Sequence, residues 1–484
     1  VDVSGSLPFA GMAFDRGTLT FRLDRNGFDV DGAVFVKDTP VTVRWRQDLG
    51  GENSASRYLL RTQIDGAGRK RFGFDTNGVI DGFVDVTIDA AVDRGNLKRA
   101  VIELNFLGAA IDLSAIHWRK SSNRPARARA VVLPQSDGSL IFDAIEFRAD
   151  DLFAIGHLEL DAENDVRRFD LSRLTVGRSD LSLSVRPRAP QGFIAAIDGR
   201  RLDFSPYLSD FLNDGDSDLP PLELSLRVDE ILIGQGEKLL SATGSGSYDG
   251  ERWLNLNVSG GFGVENKSLA FLIRTKNGVR RVTINSADAG SVAQAIGFTD
   301  NAVGGQLTLV AEIDDTKLGS PIAGRIQIRD FMLVKAPTLT RILTLASLQG
   351  ILELLGGGDG ISFVGLDMPF ELKEGVLHIE EGRAFGPALG VTASGSFELN
   401  TDNADFSGTL VPAYTVNSLL GNIPVLGNLL VGGEGEGVFA LTYSVHGKAD
   451  QADVQVNPLS ALAPGFLRRF LTLLEARPRG AGDD

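Results

Sequence analysis

The side chains that could support chemistry in this sequence are few and dispersed. The four histidines, His117, His157, His378 and His446, lie on separate segments. A metal site needs ligands at short, regular spacings on elements that bring them together, and the histidines do not have such spacings. The sequence therefore predicts neither a metal centre nor a histidine-based catalytic group.

Three acidic groups are candidates for a carboxylate site, namely Asp314 with Asp315, Glu380 with Glu381, and Asp214 with Asp216 and Asp218. Paired carboxylates can perform acid–base catalysis, and an aspartate run can bind calcium weakly. This run lacks the distal glutamate of an EF-hand loop, and exposed turns commonly have the same composition. The chain also contains no cysteine for disulfides, thiolate metal sites or nucleophiles. We therefore predict a non-enzymatic protein without a cofactor.

Charge and composition exclude further classes of function. The net charge of −15 and the scattered basic residues argue against nucleic-acid binding. The same charge makes any membrane contact local and apolar. A β-solenoid enzyme acting on polysaccharides would need aromatic platforms, and the chain has only 3 Trp and 5 Tyr. What remains is a globular binding or structural protein.

Alternation of apolar and polar residues dominates the sequence and predicts half-buried strands. In Leu222–Asp229 the leucines and the valine share one face, and the charged and polar residues share the other. Turn pairs such as Asn277–Gly278 separate many of these segments and favour antiparallel hairpins. The same alternation recurs along the chain, for example at Val41–Trp45, Val84–Ile88, Leu254–Val258 and Leu307–Ala311.

About two dozen strands against five short helices predict a mainly β fold. We expect an elongated, curved antiparallel sheet that forms a hydrophobic groove, with a few short amphipathic helices near the C-terminus. Closed β-sandwiches with ordinary cores remain the alternative, because periodicity does not show what covers the apolar faces. The helices are expected at Pro206–Asn213, at Ser291–Gly297, at Thr338–Leu355, on both sides of Pro424, and at Pro464–Glu475.

Composition divides the chain at two polar stretches, Arg119–Arg129 and Asn213–Pro221. We expect β-groove segments at 1–118, 119–213 and 214–335, followed by a region with amphipathic helices at 336–484. The sequence begins at Val1 without a signal-peptide pattern, and the true N-terminus is expected to be missing. The basic stretch at 119–129 is interpreted as a solvated loop rather than a site for lipid head groups.

Several C-terminal segments resemble the AsmA-like family of bacterial envelope proteins. The resemblance covers about Ser286–Phe470. Its most specific motifs are Gly386-Pro387, Gly408-Thr409-Leu410-Val411-Pro412-Ala413, Ile423-Pro424-Val425-Leu426-Gly427 and Asn457-Pro458-Leu459. Residues 116–133 and 198–213 resemble upstream parts of the same family more loosely.

The resemblance implies a periplasmic protein of a Gram-negative cell envelope. It implies a lipid-transport role in outer-membrane biogenesis, in which phospholipids pass from the inner to the outer membrane through a hydrophobic β-groove. The implied partners are phospholipids, the inner membrane through an N-terminal helix absent from this chain, and the outer membrane or one of its proteins. A structural or assembly factor for outer-membrane proteins, with closed β-sandwich cores, is the alternative.

Three sets of residues are the candidate sites for this role. The predicted groove lining is Leu222, Leu224, Leu226, Val228, Leu254, Leu256, Val258, Leu307 and Leu309. A helix that contacts a membrane or a partner is predicted from the spacing of Leu467, Phe470, Leu471 and Leu474. A helix that plugs or gates the groove is predicted from Leu343, Ala346, Ile351 and Leu354.

Overall fold

The computed structural model describes residues 3–7, 12–25, 27–49, 55–76, 78–212, 219–334, 337–345, 360–412, 441–448 and 452–457. Within these ranges the first strands are β1 Val3–Leu7, β2 Met12–Leu23, β3 Gly27–Val36, β4 Thr39–Asp48, β5 Ala55–Ile64, β6 Ile80–Gly82, β7 Val84–Asp93, β8 Asn96–Asn105, β9 Ala109–Leu113, β10 Trp118–Lys120, β11 Ala126–Pro134, β12 Leu140–Ala149, β13 Leu152–Leu160, β14 Val166–Val176, β15 Ser179–Pro187, β16 Phe193–Asp203 and β17 Leu222–Leu232.

The later strands are β18 Lys238–Tyr248, β19 Trp253–Phe262, β20 Lys267–Lys276, β21 Val279–Ser286, β22 Ala302–Asp314, β23 Ile322–Leu333, β24 Ile361–Lys373, β25 Val376–Phe385, β26 Leu389–Glu398, β27 Asn403–Pro412, β28 Leu441–Lys448 and β29 Asp453–Asn457. The helices are α1 Gly66–Arg71, α2 Leu208–Leu212, α3 Ala289–Ala295 and α4 Pro337–Leu345, with 3-10 turns at Ser114–Ile116 and Ser205–Tyr207.

The predicted fold class is confirmed: the chain is mainly β, with a long, open and mostly antiparallel sheet of 26 strands. Strands β6, β9 and β10 form a separate three-stranded sheet, called the small sheet below. The chain divides into two compact units. Unit 1 comprises Val1–Leu232 and Ser241–Arg252, and unit 2 comprises Ile233–Leu240 and Trp253–Asp484.

In unit 1 each sheet strand pairs with the next one along the chain, from β1 to β5, then β7, β8 and β11 to β17. All of these pairs are antiparallel except β16 with β17, where Phe193 lies beside Leu222 and Asp203 beside Leu232. A parallel pair needs a connection that returns along the whole strand. The chain makes this return between β16 and β17, where α2 lies, and the hairpin-based prediction did not anticipate it.

In unit 2 strands β19 to β29 pair in chain order, and every pair is antiparallel. A two-residue turn is enough to join neighbouring antiparallel strands, as the turn between β20 and β21 shows. Asn277 and Gly278 both have positive φ, 53° and 76°, which is the conformation of a type I′ turn and matches the twist of the two strands.

Several strands carry β-bulges. The register shifts within the pairs β11–β12, β12–β13, β13–β14, β14–β15 and β15–β16 in unit 1, and within β24–β25 and β25–β26 in unit 2. A bulge bends its strand and increases the local twist. The bulges therefore curve the sheet within each unit.

The observed helices agree in part with the predicted ones. The segment 205–212 is helical, α3 begins two residues earlier than expected, and α4 begins near its predicted start. The predicted continuation of α4 to Leu355 and the helices around Pro424 and at 464–475 lie outside the described residues. Helix α1 was not predicted, because its sequence GAGRKR has no apolar period; the Asp65 side chain accepts a hydrogen bond from the Gly68 amide and caps it. None of the described helices is long and apolar enough to cross a bilayer.

Candidate functional site: the apolar face of the sheet

Strand register in unit 1 brings apolar residues into a continuous row, called the unit 1 row below. Each member lies directly beside the next on the neighbouring strand. Side chains of directly paired residues lie on the same face of a sheet. The row consists of Phe21, Val30, Trp45, Tyr58, Ala90, Ala100, Val132, Phe142, Leu158, Phe169, Val185, Ala195 and Leu224.

Unit 2 contains an equivalent row across its antiparallel strands, called the unit 2 row below. It consists of Leu256, Ile273, Val282, Ala311, Gly324, Phe370, Ile379, Gly395, Phe406, Val445 and Val454. A second row runs beside it from Val258 through Phe271, Ile284, Leu309 and Ile326 to Met368. In each unit apolar residues therefore follow one another across the strands on one face of the sheet. In the unit 1 row, Val30, Tyr58, Ala90, Ala100 and Val132 are buried.

The opposite face of unit 1 is polar and carries ion pairs between strands. Arg57 Nε donates to Asp89 Oδ1 at 2.8 Å, and the Arg57 guanidinium lowers the pKa of Asp89 from its ordinary value. Such pairs between exposed side chains contribute little stability. They show instead that this face lies in water. Other pairs on this face are Arg44 with Asp31, Arg46 with Asp29, Arg173 with Asp180 and Arg201 with Glu230.

The nine predicted groove residues lie on the apolar faces of the two units. Leu222, Leu224, Leu226 and Val228 lie on β17 of unit 1, and the other five lie on β19 and β22 of unit 2. Val228, Leu256 and Leu307 are buried, at 1%, 6% and 7% exposure. The remaining six are half-buried.

The small sheet covers part of the apolar face in unit 1. Phe106, Ala109, Ile111 and Trp118 pack in one cluster with Val84, Val86, Ala126, Leu152 and Ala154. The Trp118 ring meets Phe147 edge-on at 5.8 Å between centroids, and its Nε1 donates to Asp151 Oδ1 at 2.7 Å. Protein atoms thus close this part of the face.

Helix α4 covers part of the apolar face in unit 2. Leu343 is fully buried and Ile342 is 3% exposed, in a cluster with Phe331, Phe363 and Leu389. Arg341 Nη1 also donates to the Ala452 carbonyl at 3.1 Å, which ties the helix to the residue before β29. Of the predicted gating residues, Leu343 therefore packs on the sheet. Ala346, Ile351 and Leu354 lie outside the described residues, as do Leu467, Phe470, Leu471 and Leu474.

His117, His157 and His446 each have different neighbours. His157 lies between Asp143 and Glu159, with ring nitrogen to carboxylate distances of 3.3 and 3.0 Å. His446 lies 2.9 Å from Asp405, and the His117 ring meets Tyr207 edge-on. Within the described ranges, no group of three or more histidine or acidic side chains is arranged to bind a metal.

The adjacent aspartates 314 and 315 have separate structural roles. Asp314 accepts hydrogen bonds from the amide and hydroxyl of Thr316 in a turn. Asp315 forms a buried ion pair with Arg280, with Nε to Oδ2 at 2.7 Å and Nη2 to Oδ1 at 2.9 Å. Their side chains are 7% and 4% exposed. The sequence suggested an exposed turn, because the pairing with Arg280 depends on strand register that the sequence does not specify.

Tyr443 is a buried polar residue on the apolar face of unit 2. Its ring lies over Gly408, and its hydroxyl donates to the Thr392 carbonyl at 2.7 Å. Burial raises the pKa of Tyr443 to about 12. The phenol therefore stays neutral in the folded chain at pH values where it ionises in the unfolded chain.

Folding stability should fall between pH 10 and pH 12, because the unfolded chain then loses a proton that the folded chain retains. The loss attributable to Tyr443 is about 3 kcal/mol. Urea denaturation at increasing pH measures it, with Tyr443→Phe as the comparison. An equal loss of stability in the variant would contradict this assignment.

Comparison of the chain with protein-family models, with curated proteins and with solved structures finds no match.

Proposed function

We propose that the protein transfers phospholipids without chemistry, by holding their acyl chains on the apolar face of the sheet. The observation that carries this proposal is the unit 1 row, in which every paired position across thirteen strands is apolar. At ~4.8 Å between strands such a row runs for about 58 Å along the sheet, which exceeds the ~30 Å hydrocarbon core of a bilayer.

Without such a surface, the free-energy cost of moving a lipid through water is large. Moving an acyl chain of about sixteen carbons into water costs roughly 10 kcal/mol or more, at ~0.8 kcal/mol per methylene. A continuous apolar face lowers this cost at every position, whereas a polar residue in the row would interrupt it. The charged opposite face keeps the sheet in water, and a head group at the edge of the apolar face would stay hydrated.

The cellular setting follows from the C-terminal resemblance. Under this proposal the protein works in the periplasm of a Gram-negative bacterium and supports outer-membrane biogenesis. It carries phospholipid between the inner membrane, where an N-terminal helix outside this chain would hold it, and the outer membrane or a protein there. The motif at 386–387 and the start of the motif at 408–413 lie on and beside β25, β26 and β27, which contribute to the unit 2 row.

A second candidate is an assembly factor for outer-membrane proteins. The observation that favours it is the cover over part of each apolar face, formed by the small sheet in unit 1 and by α4 in unit 2. Crosslinks from the apolar face to barrel precursors, without crosslinks to lipid, would support this candidate over lipid transfer.

Mass spectrometry of organic extracts from the purified chain tests the proposed function. We expect phospholipid in the extract, and we expect the delipidated, folded chain to take up a fluorescent phospholipid. Folded protein that contains no lipid and takes none up would contradict lipid transfer.

A further inference from the structure

Four large apolar side chains protrude from the turns around the small sheet of unit 1. Phe74 is 69% exposed, Val79 42%, Phe83 52% and Leu107 47%. Val79 and Phe83 lie immediately before and after β6, and Leu107 lies two residues before β9. These four residues are called the apolar tip below.

Backbone hydrogen bonds hold the turns of the apolar tip together. The Phe83 amide donates to the Gly108 carbonyl at 3.2 Å, and the Asp112 amide donates to the Val79 carbonyl at 2.9 Å. Val79, Phe83 and Leu107 of the apolar tip are therefore carried by two segments that backbone pairing holds together.

The buried side chain of Arg69 makes this surface rigid. Its guanidinium donates to the carbonyls of Ile80 at 2.7 Å, Gly82 at 2.9 Å and Ile64 at 3.4 Å, and to Thr76 Oγ1 at 2.7 Å. Arg69 is 6% exposed. Three of these acceptors lie in the segment that carries Val79 and Phe83, so their exposure is imposed by the fold and is not a feature of a loose loop.

A basic segment, called the basic loop below, lies directly beside the apolar tip. The sequence suggested a solvated loop at 119–129, but only residues 121–125 connect strands there, because 118–120 form β10 and 126–134 belong to β11. The Asn123 amide donates to the Leu107 carbonyl at 2.8 Å, which places residues 119–127 next to it. This stretch contains Arg119, Arg124 and Arg127 and no acidic residue, in a chain with a net charge of −15. Its fourth cation, Lys120, is buried and donates to the carbonyls of Ala109 and Ser121, so it is not part of the surface. The side chains of Arg119 and Arg124 are 75% and 67% exposed.

The cations at Arg119 and Arg124 can exchange partners. Arg119 pairs with Asp112 at 2.9 Å and Arg124 with Asp150 at 3.5 Å. Exposed pairs of this kind are weak, so a phosphate group can replace the carboxylate at little cost. Apolar side chains next to cations match the boundary between the acyl chains and the anionic head groups of a bilayer.

We propose that the apolar tip and the basic loop form a membrane-contact surface that inserts shallowly into bilayers containing anionic phospholipid. The surface is continuous with the apolar face of the sheet, because Phe83 leads directly into Val84 of the cluster beneath the small sheet. This inference supplements the proposed function by locating the meeting point of sheet and bilayer, and its test does not depend on lipid transfer.

Flotation of the full chain with vesicles tests the contact. We expect it to float with vesicles of phosphatidylglycerol and phosphatidylcholine, and weakly with phosphatidylcholine alone. Phe83→Ser with Leu107→Ser should reduce the partition coefficient about tenfold or more. Arg119→Gln with Arg124→Gln should reduce only the preference for anionic vesicles. High salt should also reduce only the preference for anionic vesicles, because it shortens the Debye length from about 10 Å at 0.1 M to about 3 Å at 1 M.

Val264→Ser with Leu318→Ser is the matched control. These two residues are also in turns and are more exposed, at 104% and 98%, but they lie in unit 2, outside the apolar tip. The control variant should float like the unaltered chain. No flotation of the unaltered chain, or an equal reduction in both double variants, would overturn the proposal. A dimer in solution that the apolar-tip variant separates into monomers would assign the surface to a second copy and would also overturn it.

Uptake of a short-chain fluorescent phospholipid, supplied as monomers in solution, separates this inference from the proposed function. The apolar-tip variant should retain uptake, because the rows on the sheet are unchanged. Uptake that fails in every version of the chain, with flotation intact, would contradict lipid transfer and leave the membrane contact supported.

Discussion

Purified chain carrying Leu224→Asp and Leu256→Asp is expected to bind about tenfold less phospholipid, or still less, than the unaltered chain. Leu224 ends the unit 1 row and Leu256 begins the unit 2 row. A carboxylate at either position must stay hydrated, so acyl chains cannot pass over it without removing its water. The amount of bound lipid is measured by mass spectrometry against an internal standard.

The matched controls are Ser225→Asp and Asn257→Asp, which place the same charge on the polar face of the same strands. They should leave bound lipid unchanged. Circular dichroism and thermal unfolding must show that all variants are folded, and Leu224→Phe should retain lipid because it keeps an apolar side chain in the row. Equal lipid loss in the apolar-face and polar-face variants would show that the face has no specific role.

Arg280→Met is expected to lower the free energy of unfolding by about 3–5 kcal/mol. The substitution leaves the buried carboxylate of Asp315 without the guanidinium that donates two hydrogen bonds to it. An isolated buried charge loses its hydration and gains little in return, whereas a complete pair compensates for this loss. Urea denaturation measures the effect.

The adjacent residue provides the control for Arg280. Arg281 lies 3.9 Å from Glu312, and their side chains are 61% and 57% exposed. Arg281→Met should therefore cost less than about 1 kcal/mol. Arg280→Met combined with Asp315→Leu should recover part of the lost stability, because no buried charge remains unpaired. Similar losses of unfolding free energy in Arg280→Met and Arg281→Met would show that burial does not determine the contribution of the Arg280–Asp315 pair to stability.

The strands were predictable from the sequence, because the alternation of apolar and polar residues along each strand identifies its two faces. In Leu222–Asp229 the alternation alone distinguishes the apolar face from the polar face, and the structure confirms a strand there. The Asn277–Gly278 turn was predictable for a similar reason, since few residue pairs adopt two consecutive positive φ angles. Both features depend on neighbours along the chain.

Features that depend on distant residues were not predictable. The unit 1 row requires the register of every strand pair, and a shift of one residue in any pair would break it. The small sheet unites 80–82, 109–113 and 118–120, segments too short to show a period. The roles of Arg69 and Arg280 also depend on acceptors and partners that only the folded chain brings near.

Photo-crosslinking at neighbouring positions on one strand tests the central claim most directly. A photoreactive amino acid at Leu226 faces the apolar side of β17, and one at Arg227 faces the polar side. In cells labelled with radioactive phosphate, the account predicts a phospholipid adduct at position 226 and none at position 227. Adducts at both positions, or at neither in folded protein, would contradict the claim that acyl chains lie on the apolar face.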